Sequence, residues 1–340
     1  MPQMLFDTRP FERRRPMKQR MYCALIVMLT GGFFCHAAQG ASVIELKAVS
    51  YTAKDNRMNL LAHEWIKRIN EGVKADVTVK YLGGPEIIPS PQQIEAVRNN
   101  VVQIGLIPII LYKSLLEEGN AFALSRYNPM EMRKSGFYDF LVKQHEKIGL
   151  RYLGPHHYDR FYLWIKKPIK NPDDLKGLKM RSNITYDRFM RALGVTPVTI
   201  QPSEVYTALE RGVVDGIGFP LVGARDFGWT QVVKFIIDHP FYTVDNAILM
   251  NLNAWNKLPK SAQDRIEEIT VKYEPEMVAA CERLRQEEWG ALAKEGVKRI
   301  TFSPEEAERY VSTAYRARWE DVAEKVPKDL LPKLKQMTGN

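Results

Sequence analysis

Two arginines at predicted strand boundaries stand out as residues whose type and position could do chemistry. Arg181 ends a predicted buried strand and precedes the polar pair Ser182 and Asn183 at the start of a helix. Arg160 comes directly before an aromatic strand that begins at Phe161. A buried guanidinium must be paired, because burying it alone is costly. Its planar fork suits a carboxylate, which the sequence allows to be either a bound organic acid or an Asp or Glu of the chain itself.

Other short motifs do not indicate a catalytic, metal or nucleotide site. Asp226-Phe227-Gly228 matches a kinase triplet, but the chain has no glycine-rich phosphate loop and no His-Arg-Asp. His156 and His157 are adjacent on a predicted strand and point to opposite faces, which disfavours a shared metal ion. Gly216-Ile217-Gly218 is too short for a dinucleotide fingerprint, and Gly-x-Ser-x-Gly and His-Glu-x-x-His are absent. We therefore predict no metal site and no cofactor.

The first 41 residues have the features of a secretory signal peptide. A basic segment that includes Arg13 to Arg15 precedes an apolar run beginning at Met21, and small residues follow up to Ala41. We predict cleavage after Gly40 or Ala41, with Met17 as an alternative start of the signal. An uncleaved anchor helix is the alternative, but the apolar run is short and contains two glycines. The mature chain is therefore predicted to be exported as a soluble protein.

The charge balance argues against a nucleic-acid partner. The whole chain carries a formal net charge of +9, and residues 1–41 contribute six Lys/Arg and two acids, so about +5 remains after cleavage. The remaining basic residues are interleaved with acids and form no stripe that could follow a phosphate backbone. Hydrophobic and charged contents of 45% and 26% are typical of a globular protein. Cys281 alone of the three cysteines remains, so no internal disulfide is possible.

Strand and helix patterns alternate along the mature chain, which predicts an α/β fold with largely parallel sheets. The clearest unit is 178–220, where two predicted helices each stop at a glycine, Gly194 and Gly212. A further helix is predicted over about 131–147. A long helix is predicted from Lys260 to about Gly296, with a kink or break at Pro275. No repeat or flexible linker separates the elements, which favours two α/β lobes joined by several crossings.

Three blocks of sequence resemble the solute-binding proteins of tripartite ATP-independent periplasmic (TRAP) transporters, the dicarboxylate-receptor (DctP-like) family. The blocks occur in the family's order and spacing, and together they are highly specific. They are Asp-Asp-Leu-Lys-Gly-Leu-Lys-Met-Arg at 173–181, Ala-Leu-Gly-Val-Thr-Pro-Val at 192–198 and Ser-Glu-Val-Tyr-Thr-Ala-Leu-Glu-Arg-Gly-Val-Val-Asp-Gly at 203–216.

The resemblance implies a two-lobed, Venus-flytrap fold around a cleft, with a long helix spanning both lobes. We assign residues 42–158 and about 246–285 to lobe I, and 159–245 and about 286–340 to lobe II. The implied function is that of a periplasmic receptor, not an enzyme. It would bind an organic acid through an arginine–carboxylate pair and deliver it to membrane permease subunits.

The resemblance also assigns roles to individual residues. Arg181 occupies the position of the arginine that pairs with the substrate carboxylate. Arg160 is the nearest match to a second, upstream arginine, and Tyr51 falls near a polar position after the first strand. Asn183, in the polar pair that follows Arg181, is a further candidate for ligand contact.

One departure from the family pattern bears on ligand class. The block after Asp-Gly is commonly Gln-Glu-Asn-Pro, and its asparagine touches the ligand, whereas Phe219 stands at that position here. With Trp164 and Trp229 nearby in sequence, this favours an apolar or aromatic monocarboxylate over a sugar acid or dicarboxylate. Both tryptophans could equally belong to the core.

Two functions of other classes remain open at this stage. A secreted α/β enzyme that acts on a carboxylate would show turnover of a bound acid. A sensor subunit would have the same structure but would dock on the outer domain of a receptor kinase. Neighbouring genes for a permease or for a kinase would separate transport from sensing.

Overall fold

The computed structural model of the protein describes residues 43–244 and 246–340. The predicted signal peptide lies outside the described residues. The strands are β1 (Ile44–Ser50), β2 (Val77–Gly83), β3 (Ile104–Pro108), β4 (Leu150–Pro155), β5 (Phe161–Ile165), β6 (Lys179–Ser182), β7 (Thr196–Thr199), β8 (Gly216–Pro220), β9 (Phe235–Ile237), β10 (Asn246–Asn251) and β11 (Lys298–Ile300).

The helices complete a mixed α/β architecture. They are α1 (Leu60–Gly72), α2 (Ser90–Arg98), α3 (Pro129–Lys134), α4 (Phe137–Lys147), α5 (Asp187–Ala192), α6 (Pro202–Glu210), α7 (Leu252–Asn256), α8 (Lys260–Lys294), α9 (Pro304–Ala323) and α10 (Leu330–Thr338). Within the described ranges, no helix is both long and apolar enough to cross a membrane.

The first lobe is built on a five-stranded sheet with the order β2-β1-β3-β10-β4. Strands β1, β2 and β3 are parallel, and β10 enters antiparallel between β3 and β4. Strand β3 is buried along its whole length, as expected for a strand covered on both faces. The carboxyl ends of β1, β3 and β4 and the first residue of β10 therefore meet at one edge of this sheet.

The second lobe is built on a six-stranded sheet with the order β11-β9-β5-β8-β6-β7. Strands β6, β7 and β8 are parallel, and β5 runs antiparallel to both β8 and β9. The aromatic strand β5 is buried at all five positions. The glycines predicted to end helices do so here: Gly194 and Gly212, with φ of 75° and 73°, adopt the left-handed conformation that glycine tolerates best.

Two predictions concerned helix continuity, and the first of them was wrong. The helix expected over about 131–147 is two helices, because Gly136 between α3 and α4 has a φ of 80° that a helix interior does not accept. The break considered at Pro275 does not occur, and α8 runs unbroken from Lys260 to Lys294. Pro275 removes one helical hydrogen bond, but both it and Val271, whose carbonyl loses that bond, lie on the exposed face of the helix.

Helix α8 spans both lobes, which confirms the predicted architecture. Its first half, from Ile266 to Cys281, packs into the apolar cluster of the first lobe. Near its end, Leu292 belongs to the cluster of the second lobe, and the Trp289 ring meets the Tyr162 ring edge-on at 5.9 Å. One rigid element therefore contributes to both cores.

The last helix returns to the first lobe. The Ser135 hydroxyl donates to the Met337 carbonyl at 2.8 Å, and the Arg126 backbone N–H donates to the Thr338 carbonyl at 2.9 Å. The sequence assigned the C-terminal segment to lobe II, but α10 packs against residues that precede β4 in the first lobe. The side chain of Asn340 continues this contact by donating to the Leu124 carbonyl at 2.8 Å.

Candidate functional site

Arg181 lies at the carboxyl end of β6 and is only 5% exposed. Its Nε donates to the Ile200 carbonyl at 3.1 Å, and one terminal nitrogen donates to the Gly218 carbonyl at 3.1 Å and to the Tyr186 hydroxyl at 3.2 Å. The parallel neighbours β6 and β8 place Arg181 beside Ile217, so these acceptors come from elements adjacent to the strand. The side chain is thus held in one orientation by the protein.

All the hydrogen-bond acceptors of Arg181 are neutral. Within residues 43–244 and 246–340, no carboxylate lies within ion-pair distance of its guanidinium. Burial raises the pKa of Tyr186 to about 12, against the opposing effect of Arg181, so this hydroxyl carries no charge at neutral pH. The internal Asp or Glu partner that the sequence left open is therefore not found in the described part of the chain.

Phe219 forms an aromatic wall beside Arg181. Its ring centre lies 5.9 Å from the guanidinium carbon, within the range of a cation–π contact. The Trp229 ring meets it edge-on at 4.8 Å, and Phe227 stacks on Trp229 at 4.6 Å. Trp164 is fully buried behind this wall and donates from Nε1 to the Phe219 carbonyl at 3.2 Å. The structure therefore places Trp164 as a support for Phe219.

Tyr51 approaches the same wall from the first lobe. It directly follows β1, and its hydroxyl donates to Met58 Sδ at 3.4 Å. Tyr51 and Met58 both pack with the apolar cluster of the second lobe that contains Phe219. Gly223 leaves the space for this contact, since a Cβ there would lie 3.3 Å from Met58 Sδ and 3.5 Å from the Phe219 ring. Residues predicted from opposite lobes are thus brought together.

The other two predicted site residues lie differently. Arg160 is partly buried, and one terminal nitrogen donates to the Tyr315 hydroxyl of α9 at 3.5 Å, while its backbone N–H donates to Asp159 at 2.8 Å. Asn183 uses its side-chain oxygen to accept from the Thr185 backbone N–H at 2.9 Å, which shapes the turn before α5. Neither shares a hydrogen bond with Arg181, so a contact of either with ligand stays a prediction.

A salt-bridge network between the lobes was not predicted. Arg57, in a short helical turn of the first lobe, donates to Glu288 of α8 at 2.7 Å, and its backbone N–H donates to Asp226 of the second lobe at 3.0 Å. Arg225 approaches the same Glu288 carboxylate at 3.5 Å. Burial raises the pKa of Glu288, while Arg225 and Arg57 lower it. We call Arg57, Asp226, Glu288 and Arg225 the interlobe clamp.

Asn246 is a second residue at the site that the sequence did not reveal. It is the first residue of β10, is 1% exposed, and donates from Nδ2 to the Tyr51 hydroxyl at 3.3 Å. Its only sequence signal is an apolar run directly after it, which predicts a strand but not which end reaches the cleft. Within the part of the chain that the structure describes, no group of His, Cys, Asp and Glu side chains could hold a metal ion.

Comparison with known families supports a specific class of protein. The family model of DctP, described as bacterial extracellular solute-binding protein, family 7, matches residues 49–325. A monocarboxylate 2-oxoacid-binding periplasmic protein from Nostoc is 27% identical over 260 residues, covering 70% of this chain and 68% of the relative. A C4-dicarboxylate-binding periplasmic protein from Rhodobacter capsulatus is 36% identical over 108 residues, covering 29% and 31% of the two chains.

Solved structures share the fold at low sequence identity. A TRAP periplasmic solute-binding protein from Desulfovibrio salexigens, with bound orotic acid, superposes with a TM-score of 0.78 at 17% identity, covering 87% of this chain and 98% of that one. An extracytoplasmic solute receptor from Bordetella pertussis that binds pyroglutamic acid gives a TM-score of 0.76 at 17% identity, covering 88% and 100%. Both confirm the two-lobed α/β architecture.

Proposed function

We propose, because the chain belongs to the DctP family of bacterial extracellular solute-binding proteins, family 7, that it is the periplasmic receptor of a TRAP transporter for an organic acid. Proteins of this family are solute-binding receptors, and the chain is not an enzyme. The acid binds through its carboxylate to Arg181 and is delivered to a membrane permease. Export to the periplasm by the N-terminal signal peptide is part of the same proposal.

The state of Arg181 is the observation that carries this proposal. A guanidinium that is 5% exposed, and bound only to neutral acceptors in the described chain, keeps its full positive charge without a counter-ion. Such a site has a large electrostatic preference for an anion, because water is largely excluded and the interaction is weakly screened. A carboxylate would supply the missing charge and accept a charge-assisted hydrogen bond from the guanidinium.

The interlobe clamp supports a binding mechanism based on lobe closure. Arg57 and Met58 on the first lobe reach Asp226, Glu288 and the Phe219 wall on the second. If the lobes separate, these contacts are lost and the cleft fills with water. A ligand that bridges both lobes therefore favours the closed state, by as much as it binds that state more tightly than the open one.

The ligand class we propose is a monocarboxylate with an apolar body. The guanidinium provides one carboxylate site, and the adjoining surface is aromatic, made by Phe219 against Trp229 and Phe227. A second carboxylate placed against that wall would be desolvated without a counter-charge. The Nostoc relative, named for monocarboxylate 2-oxoacids, supports the same class.

A thermal-shift screen followed by calorimetry tests the proposal. Purified chain from residue 42 onward is screened against aliphatic, aromatic and hydroxylated monocarboxylates, with dicarboxylates and sugar acids for comparison. Binding to the folded state should raise the melting temperature as ligand excess grows. Arg181→Gln should weaken binding of the best acid by about 2–5 kcal/mol, and Arg181→Lys should also weaken it because an ammonium lacks the fork.

A matched control uses an arginine outside the cleft. Arg68 on α1 pairs with Glu64 and Glu276, both within the first lobe or on α8. Arg68→Gln should leave affinity unchanged. The proposal fails if Arg181→Gln binds the acid as tightly as the unmodified chain does. It also fails if the chain converts the acid into a product.

A further inference from the structure

Asn246 has a buried amide oxygen without a hydrogen-bond partner. The residue is 1% exposed, and its Nδ2 donates to the Tyr51 hydroxyl at 3.3 Å. Within the described residues, its Oδ1 contacts no donor. Its backbone carbonyl accepts from the His156 N–H at 3.1 Å. The side-chain oxygen is therefore the unsatisfied part of an otherwise well-held residue.

An unsatisfied buried oxygen is costly, and native proteins contain few of them. The other end of the same strand shows the ordinary arrangement. Asn251 is 2% exposed, donates from Nδ2 to the carbonyls of Val97 and Arg98, and accepts on Oδ1 from the Ala254 N–H. Two asparagines of similar burial on one strand thus differ in their hydrogen bonds. Asn251 Oδ1 has a donor, whereas Asn246 Oδ1 has none among the described residues.

A series of contacts connects Asn246 to the surroundings of Arg181. Asn246 donates a hydrogen bond to the Tyr51 hydroxyl, which donates to Met58 Sδ. Met58 packs against Gly223 and Phe219 of the second lobe. Phe219 in turn lies beside Arg181. A molecule held by its carboxylate at Arg181, with its body against Phe219, therefore extends towards the first-lobe wall that contains Asn246.

His156 adds a second unsatisfied group beside the same backbone. It is fully buried, and neither of its ring nitrogens has a partner among the described residues. Burial lowers the pKa of His156 to about 3, so at neutral pH the ring is uncharged, with one donor and one acceptor nitrogen. Buried polar atoms without a hydrogen-bond partner, namely Asn246 Oδ1 and the His156 ring nitrogens, therefore lie together at this end of β10.

We propose that Asn246 determines specificity by accepting a hydrogen bond on Oδ1 from a hydroxyl group of the bound acid, so that the receptor selects hydroxy monocarboxylates. The inference rests on the proposed function and adds the substrate class to it. Nδ2 has a partner in Tyr51, whereas Oδ1 has no donor among the described residues, so the side-chain atom without a partner is an acceptor. A hydroxyl has a proton to give, whereas the corresponding oxo acid and deoxy acid do not.

Calorimetry with matched acids tests this inference on the mature chain. Each set contains a hydroxy acid, its deoxy acid and its oxo acid, with the oxygen on C2 or C3 of the same carbon skeleton. The unmodified chain should bind the best hydroxy acid at least about tenfold more tightly than its two counterparts. Asn246→Leu should reduce that ratio to near one while retaining binding of the deoxy acid. Asn246→Ala serves as a second variant if leucine prevents folding.

Asn251→Leu is the matched control, because it removes an equally buried amide from the same strand. It should lower the melting temperature and keep the preference for the hydroxy acid. Equal or tighter binding of the oxo or deoxy acid by the unmodified chain overturns the inference, as does a preference that survives in both Asn246 variants. Failure of the proposed function is a separate result, seen when Arg181→Gln binds these acids normally.

Discussion

Two arginines, Arg133 and Arg181, show how differently the same side chain is used in two regions of the molecule. Arg133 on α3 binds Glu274 of α8 through two hydrogen bonds, each of 2.7 Å, and lies 3.6 Å above the Tyr138 ring. Arg181 at the cleft bonds only to neutral oxygens among the described residues. Arg133 thus has a counter-ion within the chain, whereas Arg181 has none among the described residues.

The difference separates a structural ion pair from a binding site. The Arg133 pair joins a helix of the first lobe to α8, and a carboxylate of the chain itself neutralises the guanidinium charge. The neutral acceptors around Arg181 fix its orientation without neutralising its charge. The identity of the hydrogen-bond acceptors is what distinguishes the functions of the two residues.

The largest expected effect is on stability, at the structural pair. Arg133→Met leaves the Glu274 carboxylate, which is 1% exposed, buried without its counter-charge. We expect the free energy of unfolding to fall by about 3–5 kcal/mol while the affinity for the acid in the folded protein is unchanged. Denaturant unfolding and calorimetry measure the two quantities. A loss of affinity without a loss of stability would contradict the assignment of this pair.

A second change gives Arg181 the internal counter-ion that Arg133 has. Phe219→Glu places a carboxylate next to a guanidinium that now lies 5.9 Å from the phenyl ring. The new side chain competes with the ligand, so we expect affinity to fall about a hundredfold. Phe219→Gln has the same shape without the charge and is the control. Equal affinities of the two variants would show that a carboxylate is not what Arg181 binds.

The interlobe clamp offers a smaller test, because there the ion pairs join the two regions instead of belonging to one. Arg57→Gln removes the contact to Glu288 but leaves Arg225 beside that carboxylate. The closed state should lose about 1 kcal/mol relative to the open one, so the affinity should fall about fivefold. Faster ligand release in stopped-flow measurements should accompany the change. If affinity and the rate of ligand release are both unchanged, the clamp does not contribute to lobe closure.

The smallest effect concerns the stability of the ligand-free protein at Arg181. Arg181→Met removes three hydrogen bonds and also removes a buried charge without a counter-ion, and these changes oppose each other. We expect the free energy of unfolding to change by no more than about 1 kcal/mol. A loss as large as that of Arg133→Met would mean that Arg181 is a structural residue, and the comparison between the two would fail.

The fold was predictable because its signals are local. Apolar runs marked the strands, Gly194 and Gly212 marked helix ends, and the family blocks around 173–216 placed Arg181 at a strand end. Gly136 ended a helix that the apolar pattern alone extended, since the pattern does not register a left-handed residue. Pro275, in contrast, did not end its helix. It lies on the exposed surface of α8, and this exposure depends on tertiary packing that the sequence pattern does not show.

The missing parts of the site were not predictable because topology creates them. Asn246 reaches Tyr51, 195 positions earlier in the chain, only because β10 inserts antiparallel beside β3. Arg57 meets Glu288, 231 positions later, only because α8 crosses both lobes. Neither residue lies in a recognisable sequence block. The lack of a counter-ion for Arg181 among the described residues likewise depends on tertiary structure, which a sequence pattern does not show.

The return of α10 to the first lobe has a practical consequence for measuring the motion. Asn340, which follows α10, is held against Leu124, so a fluorophore attached at this residue reports the position of the first lobe. Val213, half exposed in the turn between α6 and β8, offers an attachment point on the second lobe. Energy transfer between two such labels would register opening and closing in real time, with the protein serving as its own sensor for the acid it captures.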